Sequence, residues 1–294
     1  MRPDRLLDTD IPAAIREKDA DEVFFALGFC YKSHPDYRTA HNFGTFLSKY
    51  GQETSFFSRK MLRVAEKLLA EAEEQKESFI TSKERGDLYL RLKRYTPAAA
   101  AYRRAWKRQQ TYSVRYNLAI AYFYLKDYVS MAAHLETALS GESFSDGIDE
   151  GTASLKELLA AAYALSGRKV QARQLLRELQ QDVCYENTPQ TLRLAYLCED
   201  FSFILDHYEA ILRGWMYEGV SYAIVCRAFD RLNRPGLAAF KAAFRRDVAA
   251  FYADNPDFDQ SERETLMAQI DEIDEGTVSE PTLVWGPAFS CDFY

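Results

Sequence analysis

A histidine beside an acid is the first arrangement in this 294-residue chain that could perform chemistry. His134 and Glu136 form an H-x-E tripeptide, which in zinc-dependent deaminases supplies one metal ligand and the glutamate that transfers protons. The P-C-x-x-C segment that carries the other ligands does not follow, and no H-E-x-x-H occurs. The tripeptide therefore predicts a groove or surface histidine at His134. The other histidines of the chain are His34, His41 and His207.

Other signatures of catalysis are also missing. The sequence has no G-x-x-x-x-G-K-[ST] loop, no G-x-G-x-x-G loop and no G-x-S-x-G elbow. The turn-rich acidic segment 140–152 lacks the spacing of a calcium loop. An odd number of cysteines without a C-x-x-C pair predicts reduced thiols at Cys30, Cys184, Cys198, Cys226 and Cys291. We therefore predict that the protein is not an enzyme and uses no cofactor or metal.

Composition narrows the class of partner. The net charge is −7 and the isoelectric point is about 5.3, so binding of nucleic acid through overall charge is disfavoured. The first residues hold no apolar run typical of a signal peptide. No stretch approaches the roughly 18 apolar residues of a membrane helix. These features predict a cytoplasmic protein that does not enter a membrane.

Charge is distributed unevenly along the chain. Residues 88–126 contain no acid, and they include a basic patch at Arg94, Arg103, Arg104, Lys107 and Arg108. Residues 254–280 hold ten acids and one base, Arg263. Two solvated faces of opposite sign are one interpretation. Complementary docking, within the chain or between copies, is a second. Nucleic-acid binding is a third and the weakest, because the aromatics among these bases follow the helical period.

Helices joined by short turns follow from a recurring pair of residue types. Five times, an aromatic residue is followed nine positions later by a smaller or slimmer one. Two packed helices need a large side chain on one and a small one on the other where their backbones approach closely. The pairs are Tyr31 and Ala40, Tyr89 and Ala98, Tyr122 and Met131, Tyr163 and Ala172, and Phe229 and Ala238.

These units resemble the tetratricopeptide repeat, which reads W-x-x-L-G-x-x-Y followed by A-x-x-x-F. The first unit matches it with Phe24, Leu27, Gly28 and Tyr31. In the second, Gly86 and Tyr89 match, whereas Ser82 and Arg85 replace large apolar residues. Tyr89 and Tyr122 are 33 residues apart, close to the family period of about 34. Further matches include Ala98, Tyr102, Ala105, Leu118, Ala119, Leu135, Ala138, Leu159, Ala160, Leu176, Tyr222 and Val225.

The resemblance predicts an all-α fold, a right-handed α-solenoid of tetratricopeptide-like helix pairs with a capping helix and an irregular C-terminal tail. Residues 1–20 are an N-terminal extension, 21–54 the first helix pair, and 55–78 a long connecting helix. Residues 79–253 hold five repeats, of which the one near 185–214 is degenerate. An acidic capping helix at 254–275 and an aromatic tail at 276–294 complete the chain.

The family lines its concave surface with the first helix of each unit, which implies a partner-binding groove. Its predicted residues are Lys83, Asp87, Arg91, Tyr116, Asn117, Ile120, Phe123 and Tyr124. Lys83 and Asn117 match the residues with which some members bind a C-terminal carboxylate. Asp87, Ser154 and Leu158 depart from that pattern, so no carboxylate clamp is assigned.

The tail differs from the rest of the chain because Pro281, Gly286 and Pro287 prevent a helix. Its apolar side chains nevertheless need burial, so we predict docking by Trp285, Phe289, Phe293 and Tyr294. The first contacts are expected against helices of 215–270. Docking on a partner or on a neighbouring copy, which would make a homo-oligomer, is the alternative.

The sequence thus predicts a non-catalytic interaction scaffold that binds a protein or peptide in its groove. The alternative is a structural subunit of a larger assembly that uses edge and tail surfaces, with the groove filled by its own tail. An enzyme or a peptide carrier on a solenoid scaffold is the most distant possibility.

Overall fold

The computed structural model describes residues 19–55, 57–140, 150–181, 185–213, 219–257, 259, 261, 263–268 and 282–289. Over these residues the chain forms helices and turns without a β-strand. Most of the predicted N-terminal extension, most of the acidic segment 140–152, and the tail residues Phe293 and Tyr294 lie outside the described residues. The chain divides into an N-terminal unit, residues 1–151 with 286–294, and a second unit, residues 152–285.

Within the described residues, the N-terminal unit stacks seven helices, each packed against the next. Several begin at a side-chain cap. Asp36 accepts the backbone N–H groups of Arg38 and Thr39, and Ser78 accepts that of Thr81, which satisfies N–H groups that a helix start leaves unpaired. The helices are α1 (Ala20–Ser33), α2 (Tyr37–Lys49), α3 (Arg59–Gln75), α4 (Phe79–Arg91), α5 (Tyr95–Trp106), α6 (Tyr112–Tyr124) and α7 (Tyr128–Ser140).

The connecting helix α3 is amphipathic. Ala65, Leu68, Leu69 and Ala72 are buried, and they share one apolar core with residues of α1 and α2. Their spacing of three and four residues places them on one face of the helix. Gly44 marks a close contact between α2 and α3, because a Cβ on Gly44 would lie 2.9 Å from Leu69 Cγ.

The described part of the second unit includes six helices of nine residues or more, and each of the last five packs against its neighbour in the chain. Its core between the last two helices is aromatic, with the Tyr222 ring 4.3 Å from that of Phe244. Leu266, from the predicted capping helix, is buried in the same core, and residues 263–268 are helical. The helices are α8 (Glu150–Leu165), α9 (Lys169–Leu179), α10 (Pro189–Leu197), α11 (Phe201–Arg213), α12 (Gly219–Arg231) and α13 (Leu237–Asp254).

The same left-handed turn joins the helices within five successive pairs. After the first helix one residue takes a positive φ, between 47° and 84°, and the next N–H bonds back to a carbonyl five residues earlier. In the second repeat the N–H of Arg94 reaches the carbonyl of Tyr89 at 2.8 Å. This geometry satisfies carbonyls that a helix end leaves unpaired. The positive-φ residues are Lys93, Lys126, Gly167, Glu199 and Asn233.

Four of the five predicted aromatic-to-small pairs place the second residue at a fully buried position: Ala40, Ala98, Met131 and Ala172 have no exposed surface. The fifth is wrong. Ala238 is exposed, and the ring that faces Phe229 is that of Phe240, 5.8 Å away. Helix α13 begins directly after Gly236, and its aromatic face starts at Phe240, two residues beyond the predicted position.

Candidate functional site

Three of the predicted groove residues belong to a polar cluster in the N-terminal unit. Lys83 and Asp87 lie one turn apart on α4, and Asn117 projects from α6. Lys49, the last residue of α2, and Glu84 join them. All five side chains are buried, with at most 5% of each residue exposed. We call Lys49, Lys83, Glu84 and Asp87 the buried ion cluster.

Two lysines and two carboxylates balance one another in this cluster. Lys49 Nζ lies 2.7 Å from Glu84 and 3.2 Å from Asp87, and Lys83 Nζ lies 3.0 Å from Glu84 and 3.4 Å from Asp87. Each ion therefore has two partners of opposite sign, which buried charges require. Burial nevertheless raises the pKa of Asp87, and neighbouring Glu84 adds to that rise against the two lysines.

Tyr102 on α5 connects the ion cluster to the helix core. Its hydroxyl donates to Asp87 Oδ1 at 2.6 Å, and its ring has no exposed surface. Burial, together with the Asp87 charge, raises the pKa of Tyr102 well above its ordinary value, so the hydroxyl keeps its proton and remains a donor.

Asp87 also orients the side chain of Asn117. Asn117 Nδ2 lies 3.4 Å from Asp87 Oδ1, and a carboxylate can only accept, so the amide NH₂ must face it. The amide then presents both a donor and an acceptor to one peptide residue. Nδ2 donates to the carbonyl of Ala288 at 2.8 Å, and Oδ1 accepts the Ala288 N–H at 2.8 Å.

Residues 286–289, which we call the docked segment, therefore occupy this site. Beside Ala288, the Phe289 ring lies 4.4 Å from the guanidinium of Arg91, a cation–π distance. The half-buried ring also packs on the core of α4, α5 and α6, which includes Tyr89 and Leu90. The polar groups thus fix the main chain of the docked segment, and one aromatic side chain anchors it.

The remaining predicted groove residues do not join the cluster. Tyr116 is half-buried beside Tyr112, with ring centroids 5.7 Å apart, and Ile120 is buried. Tyr124 stacks on Tyr95 of α5 at 4.9 Å. Phe123 lies edge-on to the Tyr124 ring at 5.2 Å.

The basic patch faces acids of its own unit. Arg94 binds Glu66 at 2.8 Å and Arg108 binds Glu77 at 2.7 Å, whereas Arg103 and Lys107 are exposed. The Arg104 guanidinium donates to Glu73 of α3 from two nitrogens, at 3.1 and 3.2 Å. The acids that pair with Arg94, Arg104 and Arg108 therefore lie on α3 and two residues beyond it. Docking of the basic patch on the acidic segment 254–280 stays a prediction.

Glu73 is the centre of a second polar network. Besides Arg104, it accepts hydrogen bonds from Ser82 Oγ at 2.6 Å and from Arg85. Burial alone would raise the pKa of Glu73, but the hydrogen bonds from Ser82 and Arg104 and the charges of Arg85 and Arg104 outweigh it, so the pKa lies below the ordinary value. Ser82 and Arg85 are the two residues that depart from the repeat pattern, and this departure is the signal that could have located Glu73.

We expect Glu73→Gln to destabilise the N-terminal unit by about 1–2 kcal/mol at pH 7, because it weakens charged hydrogen bonds. A carboxyl with a lowered folded pKa stabilises the protein above its unfolded pKa, about 4.3, and loses that contribution as the pH falls through the folded pKa. The difference in urea midpoint between wild type and variant should therefore shrink below about pH 4. A difference independent of pH contradicts the role of the charge, and exposed Glu74→Gln is the control.

Residues of the tail that belong to the second unit lie against α10. Gln190 donates to the carbonyl of Val284 at 2.8 Å, and Arg193 donates to that of Thr282 at 3.1 Å. Leu283 and Trp285 are buried. These hydrogen bonds lie outside 215–270, the helices at which the sequence placed the first contacts.

The histidine of the H-x-E tripeptide serves packing. His134 Nε2 lies 3.1 Å from the carbonyl of Arg115, its ring meets that of Trp106 edge-on, and burial lowers its pKa.

Within the described ranges, no three His, Cys, Asp or Glu side chains gather as metal ligands. The thiols of Cys30, Cys198 and Cys226 are buried, and burial raises the pKa of Cys198 to about 12. None of the described helices combines the length and apolarity needed to cross a membrane.

Comparison with known proteins assigns the fold. No protein family and no curated protein matches the sequence. A tetratricopeptide repeat protein from Parabacteroides merdae is similar in structure, with a TM-score of 0.57 at 11% identity over 92% of this chain and 100% of that one. The structure of Pseudomonas aeruginosa pilF gives 0.51 at 15% identity, over 78% and 99% of the two chains. The predicted all-α, tetratricopeptide-type solenoid is confirmed.

Proposed function

We propose that this tetratricopeptide-type solenoid is a non-catalytic interaction scaffold whose N-terminal unit holds an extended peptide of a partner protein. One observation carries the proposal: the Asn117 amide bonds both main-chain groups of Ala288 at 2.8 Å. A side-chain amide that makes both bonds acts as a peptide group would in a β-ladder. Such a contact holds an extended chain with little dependence on its sequence.

The supporting residues are suited to a permanent binding surface. Asp87 orients Asn117, and Asp87 is itself held by Lys49, Lys83 and Tyr102. Because these groups are buried and already paired, the amide is in place before a ligand arrives. Preorganisation of this kind reduces the entropy lost on binding.

Selection from a random peptide library displayed on phage tests the proposal. The full chain carrying Ala288→Pro and Phe289→Ala is immobilised, so that its own docked segment does not fill the site. Enriched peptides should bind at least about tenfold more weakly when Asn117→Ala is added, which corresponds to about 1.4 kcal/mol. Val129→Ala, at a side chain 73% exposed on α7, is the control and should leave binding unchanged.

A structural subunit of a larger assembly is the second candidate, and the occupied groove favours it. In that case the docked segment is a permanent part of the fold, and partners bind elsewhere. Enrichment of peptides whose binding ignores Asn117, or no enrichment at all, would support this candidate over the first. Homo-oligomerisation through the tail and a cytoplasmic location stay predictions.

A further inference from the structure

The docked segment shows which chemical features the site accepts. Ala288 supplies a main-chain N–H and a main-chain carbonyl to Asn117, and its own side chain makes no polar contact. Proline has no N–H, so it cannot occupy this position with both bonds made. The position of Ala288 therefore requires a residue other than proline, and these two bonds restrict its side chain little further.

The next position requires an aromatic ring. The Phe289 ring lies 4.4 Å from the Arg91 guanidinium and packs on the apolar core of α4, α5 and α6, so it has a cationic and an apolar neighbour at once. A cation–π contact adds about 0.5–2 kcal/mol to the burial of a ring. An aliphatic side chain would retain only the burial.

The two residues before Ala288, Gly286 and Pro287, favour an extended backbone. Pro287 has a fixed φ, and it restricts Gly286 to extended backbone. An already extended peptide loses less entropy when it binds. A Cβ added to Gly286 would meet no atom within 4 Å, so this position tolerates other residues.

We propose that the groove is selective for an extended peptide in which a residue with a free N–H is followed by an aromatic residue, and that residues 286–289 are an internal ligand of this class. This inference rests on the proposed function, and it adds that the docked segment regulates the binding of partner peptides. A tethered ligand competes at an effective concentration that reaches millimolar for short flexible linkers. A partner peptide must therefore displace the docked segment before it binds.

Binding of a synthetic, fluorescently labelled peptide tests the inference. The probe has the sequence of residues 282–290, TLVWGPAFS. In the tail-released chain, which carries Ala288→Pro and Phe289→Ala, the docked segment loses its contacts with Asn117 and Arg91. This chain should bind the probe at least about tenfold more tightly than wild type, because the competent fraction of the groove rises. Val284→Ala, at a side chain 63% exposed, is the matched tail control and should behave as wild type does.

Altered probes and groove variants test the two recognition features separately. A probe with proline in place of Ala288, and a probe with alanine in place of Phe289, should each bind the tail-released chain at least about tenfold more weakly. Arg91→Met should also weaken binding of the unaltered probe. Because Arg91 is exposed, this loss would come from the missing guanidinium and not from misfolding. Equal binding of the probe by wild type and the tail-released chain overturns internal competition, and equal binding of all probes overturns the selectivity.

The result separates this inference from the proposed function. If the tail-released chain does not bind the probe but binds library peptides through Asn117, the inference is wrong, whereas the proposed function as an interaction scaffold is retained. If neither the probe nor library peptides depend on Asn117, both fail.

Discussion

Replacing Gly86 by alanine is expected to lower the free energy of unfolding of the N-terminal unit by about 3 kcal/mol. Alanine normally stabilises a helix interior by about 1 kcal/mol relative to glycine, so the expected sign is reversed. A Cβ at this position would lie 2.6 Å from Tyr102 Cε1. The ring cannot retreat without breaking its 2.6 Å hydrogen bond to Asp87, which adds the loss of a charged hydrogen bond to the overpacking.

Gly28→Ala is the matched comparison, because Gly28 has the same place in the first repeat. The three atoms nearest to its Cβ would all belong to the Phe43 ring, the closest at 3.3 Å, and that ring has no hydroxyl to hold it. We expect a cost below about 1 kcal/mol, since the gain in helix propensity offsets part of the crowding. Urea unfolding followed by circular dichroism measures both. Equal effects at the two glycines would contradict the role assigned to Tyr102.

Lys83→Met is expected to destabilise the N-terminal unit by about 3–5 kcal/mol, because it leaves two buried carboxylates with one lysine. Adding Glu84→Gln restores the charge balance, because one lysine, Lys49, then faces one carboxylate, that of Asp87. The double variant should therefore be more stable than Lys83→Met alone, although it carries one more change in the core.

A double-mutant cycle of urea midpoints measures this rescue. Lys67→Met removes an exposed lysine of α3 and should change stability by no more than about 0.5 kcal/mol. Additive losses in the Lys83 and Glu84 variants would show that the ions of the cluster do not compensate one another.

The sequence predicts the helix pairs well because their signal is local. Tyr89 and Ala98 are nine residues apart, and a large residue facing a small one follows from the approach of two adjacent helices. The last pair failed for a physical reason: Phe240 is an alternative large residue near Ala238, and the start of α13 decided which of the two faces Phe229.

The candidate site is only partly readable from sequence. Lys83, Asp87, Arg91 and Asn117 could be placed by their position in the repeat. Lys49 could not, because its carboxylate partners lie 35 and 38 residues away on another helix, and a lysine at a helix end normally faces water. The Ala288 contact spans 171 residues, and no periodic pattern connects its two ends.

That long span also sets an order of events during synthesis. Helices α4 to α6 depend on neighbouring residues, and such local contacts form early. Ala288 leaves the ribosome more than 160 residues after α6 is complete. At roughly 5–20 residues per second this takes about 10–30 s. For that interval each newly made chain has its Asn117 site without its own tail, and a partner present at translation meets it with no internal competitor.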